Sequence, residues 1–198
     1  MNKIIETLMK IYKLKELRRE GWFIDGVKNG ESIASHIFGT AFLILVLGKG
    51  RKDIDLEKAL EIALVHDIAE SETGDIIEDY KVEYHKKKFS KDIKGGYHGI
   101  SHKEKFELEK RIIEEFANKI GKKEIVDLWE EFESGKTKEA VFVRSLDKLD
   151  MALQALIYEK KKAAKNDISH YFENATNTIK DPDIMRILKE ILSLRKGR

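Results

Sequence analysis

The sequence predicts an all-α chain, and three observations predict it. Apolar residues recur at three- and four-residue intervals nearly throughout. Proline occurs once in 198 residues, and no alternating apolar–polar run reads as a β-strand. Helix-start signals recur ahead of the apolar stretches.

The elements follow in order. Ile4, Ile5, Leu8, Ile11, Tyr12 and Leu14 mark a first helix ending near Arg18. After a loop around Gly21 to Gly30, a strongly apolar helix runs from about Ser32 to Leu47 and closes at Gly48 and Gly50. Asp55 is an N-cap for a third helix, Leu56 to about Glu70, which Thr73 and Gly74 interrupt. Ser101 with Glu104 forms a capping-box signature for a helix reaching about Lys119. Helices are expected near Lys122 to Phe132 and Lys138 to Lys162, and Asp181-Pro182 opens a last one. The segment 78–100 is the least regular, with Lys86 to Lys88, Gly95 and Gly96. It reads equally as a lid or as a solvated loop. No repeat or linker divides the chain, so residues 1–198 are expected to form one domain.

Composition narrows the chemistry. Charged residues make up 37%, but 38 basic against 36 acidic residues leave a net charge of only +2, which gives no case for nucleic-acid binding. With no cysteine, thiolate metal sites, disulfides and thiol nucleophiles are excluded, and any metal falls to His, Asp and Glu. The longest apolar run, Ala41 to Leu47, is too short to span a bilayer, and no secretory signal is seen. A cytoplasmic protein is expected.

Polar residues interrupt apolar faces at four places. His36 shares its helix with Ile33, Ile37 and Leu43. His66 and Asp67 follow Ile62 to Val65, and Asp147 lies between Val143 and Met151. A buried carboxylate is costly without a positive partner, and one divalent cation would serve two of them at once. Imidazole and carboxylate ligands suit Mn, Co, Fe, Zn or Mg, with positions left for water. Glu70, three and four residues beyond the His-Asp pair, is placed to act on such a water. Each residue alone has a plainer reading: a hydrogen-bonded core histidine, an ion pair of Asp147 with Arg144 or Lys148, a solvated Glu70.

The combination resembles the HD-domain phosphohydrolases, and within them the 5′-deoxynucleotidase branch. The resemblance covers about Leu14 to Glu159. It is carried by R-E-G-W at Arg19 to Trp22, E-S-I-A-S-H at Glu31 to His36, A-L-V-H-D-I-A-E-S-E-T-G-D at Ala63 to Asp75, and S-L-D-K-L-D-M-A-L-Q-A at Ser145 to Ala155. It implies a single-domain helical bundle with one divalent ion held by His36, His66, Asp67 and Asp147. It implies Glu70 as the catalytic glutamate, Arg19 on the substrate phosphate, and Asp75 at the sugar end, where a turn-capping role is the alternative. Trp22 reads equally as a nucleoside contact or a core residue. Lys105 is a candidate phosphate contact against an exposed helix lysine, and Lys148 steadies Asp147. Asp150 resembles a carboxylate position of relatives but reads as structural. His85, His98, His102 and His170 match no ligand position.

The implied reaction is hydrolysis of a deoxyribonucleoside 5′-monophosphate. Two alternatives stay open: another nucleotide substrate such as a triphosphate, cyclic dinucleotide or alarmone, and a non-catalytic metal-binding protein. The apolar helix faces exceed what one domain of this size buries, and dimers are common in the resembled family, so a homodimer is expected.

Overall fold

The computed structural model describes residues 2–76 and 101–196. The segment 78–100, read as a lid or a loop, lies outside the described residues, as do His85 and His98. Ten α-helices and one 3₁₀ turn make up the described part. They are α1 (Lys3–Ile11), the turn Tyr12–Lys15, α2 (Glu20–Ile24), α3 (Ile33–Gly48), α4 (Leu56–Val65), α5 (Glu70–Thr73), α6 (His102–Ile120), α7 (Glu124–Ser134), α8 (Lys138–Lys160), α9 (Ser169–Thr178) and α10 (Pro182–Lys196). No strand forms among the described residues; one isolated bridge pairs Arg18 with Ser32.

The three caps read from the sequence, at Asp55, Ser101 and Asp181, form, and Ser32 and Thr137 cap two further helices. The Ser32 hydroxyl accepts from Ser35 N, Asp55 from Lys58 N, and Thr137 from Ala140 N. Ser101 and Glu104 close a reciprocal capping box. Asp181 accepts from Asp183 N and Ile184 N ahead of Pro182.

Helix α8 is the axis, packed against α3, α4, α7, α9 and α10. Its buried residues Phe142, Val143, Leu146, Leu149, Ala152, Ala155 and Leu156 join Ile44, Ile62, Phe172 and Leu188 in the larger core. A smaller core holds Leu14, Ile33, Ile37, Ile68, Ile113, Phe116 and Trp129. Helix α3 therefore feeds both cores, through Ile33 and Ile37 at one end and Ile44 at the other. His36 and Thr40 are fully buried along the same helix.

Three differences from the sequence reading bear on the site. The third helix ends at Val65, not Glu70. Residues 66–69 wind more tightly, with bonds from Ile68 N to Val65 O, Glu70 N to Asp67 O and Ser71 N to Ile68 O, before α5 resumes. Angles between His66, Asp67 and Glu70 thus depart from those of a continuous α-helix. Helix α2 is too short to show periodicity. Helix α9, sequence SHYFENATNT, is poor in strong helix formers and is held by burying Tyr171, Phe172 and Ala175 against α8.

Candidate metal centre and active site

The chain from Leu17 to Ile33 closes on itself before α3 begins. Arg19 N donates to Glu31 O at 3.1 Å and Ile33 N to Leu17 O at 2.9 Å. This closure brings Arg19 back beside the start of α3, and so beside His36 one turn further on.

His36, His66 and Asp67 come together: one ligand atom from each lies within 4.8 Å of the other two. His66 Nδ1–H donates to Ala63 O at 2.7 Å, which puts a proton on Nδ1 and, in the neutral ring, leaves the lone pair on Nε2. Asp67 Oδ2 stands 3.2 Å from His66 Nε2 and 3.8 Å from His36 Nε2. Asp147 Oδ1 lies 3.0 Å from His36 Nε2, although it does not share the trio's mutual 4.8 Å reach. That contact is off the hydrogen-bonding axis, and both Nε2 atoms are buried without a hydrogen-bond partner among the described residues. Two partnerless imidazole nitrogens facing two carboxylates, with no thiolate nearby, fit a divalent cation.

The charges agree. Burial alone would raise the Asp67 carboxyl, but His66, Arg19 and His36 hold it well below the usual carboxylate range. Burial opposes Asp147 too, and Lys148, with Nζ 2.9 Å from Oδ2, together with His36 and His66 holds it low. Burial and Arg19 would lower His36, yet Asp147 and Asp150 push it up to about 10. The cluster draws positive charge to its centre.

Of the two partners weighed for Asp147, Lys148 is the one found. Arg144 instead donates to Phe132 O and Glu133 O, both at 2.8 Å, satisfying carbonyls at the end of α7. Glu70 is 3% exposed, and its Oε2 has no hydrogen-bond partner among the described residues. Burial first, then the charges of Asp67 and Asp75, raise it well above its ordinary value, while Arg19 and Lys105 pull the other way. Arg19 Nη1 donates to Asp67 Oδ2 at 3.0 Å, and its Nε lies 3.5 Å from Asp75 Oδ2. Asp75 Oδ2 also accepts from Glu20 N at 2.7 Å, so it holds the start of α2 rather than the turn after Gly74.

These groups open onto a cavity of about 540 Å³, within the usual size for a small-molecule site. Arg19, His66, Asp67, Glu70, Asp75, Lys105 and Asp147 all line it. Residues 11–188 match the model of the family described as "HD domain". The chain belongs to the HD-domain family.

Relatives of this HD-domain chain include the 5′-deoxynucleotidase HDDC2 of Dictyostelium discoideum, 33% identical over 99% of this chain and 100% of that protein. The human 5′-deoxynucleotidase HDDC2 is 27% identical over 95% of this chain and 84% of its own length. Among solved structures, the PH0347 protein of Pyrococcus horikoshii superposes with a TM-score of 0.71 at 32% identity, covering 96% of this chain and 99% of that one.

Several HD-domain site residues escaped the sequence reading. Helix α9 gives His170, Tyr171, Asn174 and Thr178 to the cavity wall, and Glu133 and Asp25 also line it. An undetected helix hid Tyr171, Asn174 and Thr178, while His170 matches no ligand position in the sequence pattern. His102, which matches no ligand position, is exposed and sits on the cavity wall.

Of the two readings of Trp22, the structure places it in the core. It reaches the cavity wall but is 1% exposed. Its ring packs on Tyr171, centroids 4.0 Å apart, and its Nε1 donates to Glu31 Oε1 at 3.0 Å. The bulky indole is drawn into the larger core, where it packs with Tyr171 and Tyr158. Gly21, beside it, lets the Tyr171 hydroxyl approach: a Cβ there would stand 2.6 Å from that oxygen. Asp150, read as structural, touches the centre directly through His36 Nδ1 at 2.8 Å.

Proposed function

We propose that this HD-domain protein is a metal-dependent 5′-deoxynucleotidase, hydrolysing deoxyribonucleoside 5′-monophosphates to deoxynucleoside and phosphate. The observation that carries the reading is a buried carboxyl, Glu70, held above its ordinary pKa at the edge of a His-His-Asp cluster and beside a guanidinium, all lining one cavity. A structural metal site needs no such base. The names of the relatives, 5′-deoxynucleotidases over nearly the whole chain, supply the substrate class.

One divalent ion, of Co, Mn, Mg, Fe or Zn, would be held by His36, His66, Asp67 and Asp147. When bound it supplies Lewis acidity toward phosphate and a lowered water pKa. The side chains do the rest. Arg19 grips the phosphate with its guanidinium fork and offsets charge that builds on the equatorial oxygens. Asp75 fixes Arg19 from behind and faces the sugar end, and Lys105 adds a second positive charge. Glu70 takes a proton from the attacking water as its oxygen bonds to phosphorus. The bond from phosphorus to the 5′-oxygen breaks, and that proton goes to the departing 5′-oxygen, which leaves as the nucleoside hydroxyl.

Two further features belong to the reading. From Ile33 to Gly48 α3 carries no Asp, Glu, Lys or Arg, yet Phe38 is 70% exposed and Phe42 53%, with Leu45 and Val46 exposed beside them. The Phe38 and Phe42 rings stack at 6.0 Å. An apolar stripe of this kind on a chain with 37% charged residues supports a homodimer that covers it. Among the described residues no helix is long and apolar enough to cross a membrane, which with the absence of cysteine supports a cytoplasmic setting.

The test is phosphate release from a panel of deoxy- and ribonucleoside monophosphates, dNTPs and cyclic dinucleotides, with Co, Mn, Mg or chelator. Metal-dependent release from the dNMPs is expected. Turnover confined to the triphosphates or cyclic substrates would overturn the substrate, and no turnover of any would overturn the enzyme.

A further inference from the structure

We infer that Asp150 is a positioning residue for the centre, and that Gly39 is a glycine in order to admit it. The inference rests on the metal reading of His36 proposed above and concerns what holds that histidine.

Asp150 follows Asp147 by three residues on α8, so both carboxylates project from one face toward α3. They take opposite nitrogens of one ring. Asp147 Oδ1 is 3.0 Å from His36 Nε2, and Asp150 Oδ2 is 2.8 Å from His36 Nδ1. A carboxylate only accepts, so the contact at Nδ1 requires a proton there. In the neutral ring this leaves the lone pair on Nε2, the nitrogen on the side of Asp67 and Asp147. His66 reaches the same arrangement through a backbone carbonyl, Ala63 O. His36 has no such carbonyl partner on its own helix and takes its acceptor from α8.

The space for that acceptor comes from Gly39. This residue sits inside α3 with an ordinary helical backbone, and a glycine there costs about 1 kcal/mol of helix stability relative to alanine. Conformation does not demand it. A Cβ at position 39 would fall 2.1 Å from Asp150 Oδ1 and 2.9 Å from its Cγ. Aspartate is short, and its other oxygen is held by His36, so it cannot retreat without releasing the imidazole.

Glu31 lies close by: its carboxylate, His36 and Asp150 also offer ligand atoms within 4.8 Å of one another. A second cation there is disfavoured. His36 Nδ1 would have to surrender its proton, and Glu31 Oε1 already accepts from Trp22 Nε1.

The experiment is calorimetric titration of Mn²⁺ and Zn²⁺ into metal-free wild type, Asp150→Asn, Gly39→Ala and the double variant, with melting curves to confirm folding. Wild type should bind one ion. Asp150→Asn, which keeps the shape, and Gly39→Ala, which leaves Asp150 in place chemically, should each weaken binding ten- to a hundredfold. The double variant should be little worse than either, because both weaken the same contact, one by removing the acceptor's charge and the other by displacing it. In the Zn²⁺-loaded protein the His36 Nδ1 proton should be visible by NMR in wild type and lost or shifted in both variants. Wild-type affinity in both single variants, or additive losses in the double, would overturn the inference. So would two ions per chain, one of them lost with Asp150, which would make that residue a ligand. If wild type itself binds no divalent ion, the metal reading fails and takes this inference with it.

Discussion

Arg19 and Asp67 are in contact, Nη1 to Oδ2 at 3.0 Å, both largely buried. A residue assigned to the substrate phosphate therefore already neutralises a residue assigned to the metal. Replacing Arg19 with Met should lower kcat/KM at least a hundredfold, through the lost phosphate fork and transition-state charge. Divalent metal should bind as tightly or more tightly, since a nearby positive charge is gone. The check is steady-state kinetics beside metal titration; a weakened metal site would contradict the division of roles.

Glu70→Gln should reduce kcat a hundred- to ten-thousandfold with a small change in KM. It should also stabilise the metal-free protein at neutral pH. The folded-state pKa of Glu70 is raised above its ordinary 4.5, so the folded chain holds a proton that the unfolded chain releases. Its penalty is absent below about pH 4.5 and grows as pH rises toward the folded value. Melting temperatures of the variant and wild type should converge near pH 4 and separate above it, the variant higher.

Chelation should abolish phosphate release, and re-addition of Mn²⁺ or Co²⁺ should restore it. Saturating metal at a hundred times its Kd should add about 2.7 kcal/mol of stability. Calorimetric melts with and without metal measure this. Asp67→Ala should remove both the activity and the metal-dependent shift.

Phe38→Glu combined with Phe42→Lys should convert a dimer to a monomer in light scattering. None of the α3 stripe residues lines the cavity of the same chain. A dimer that survives both changes would move the interface elsewhere.

Asp181 caps α10 and pairs with Arg51. Asp181→Ala should cost about 1–2 kcal/mol. Burial would raise this carboxyl, but the hydrogen bonds from Arg51 and Ile184 lower it below its ordinary 3.8. Its contribution is therefore present above pH 3.8 and is lost as pH falls through the folded value. Denaturation at pH 7 and pH 3 should show the wild-type advantage shrinking on acidification.

The helices were legible wherever a stripe and a cap coincided, as for α4 behind Asp55 or α6 behind the Ser101–Glu104 box. Helix α9 was not, because its SHYFENATNT sequence lacks the propensity to declare itself and borrows order from α8. The four proposed ligands were legible as polar breaks in apolar faces and as a pattern of spaced motifs. Trp22 was ambiguous because a tryptophan beside a site and one beneath it leave the same trace in a sequence.

The sequence by itself determined that the chain is helical, that any metal must be held without sulfur, and which histidines and carboxylates break apolar stripes. Those properties reside in residue type and local period. Tertiary structure alone decided the tighter winding after Val65, the contact between Arg19 and Asp67, the packing of Trp22 on Tyr171, and the reach of Asp150 through the gap at Gly39 to His36. Each joins segments far apart in the chain or departs from ideal helical geometry, and close packing between helices, not periodicity along one, sets where such atoms meet.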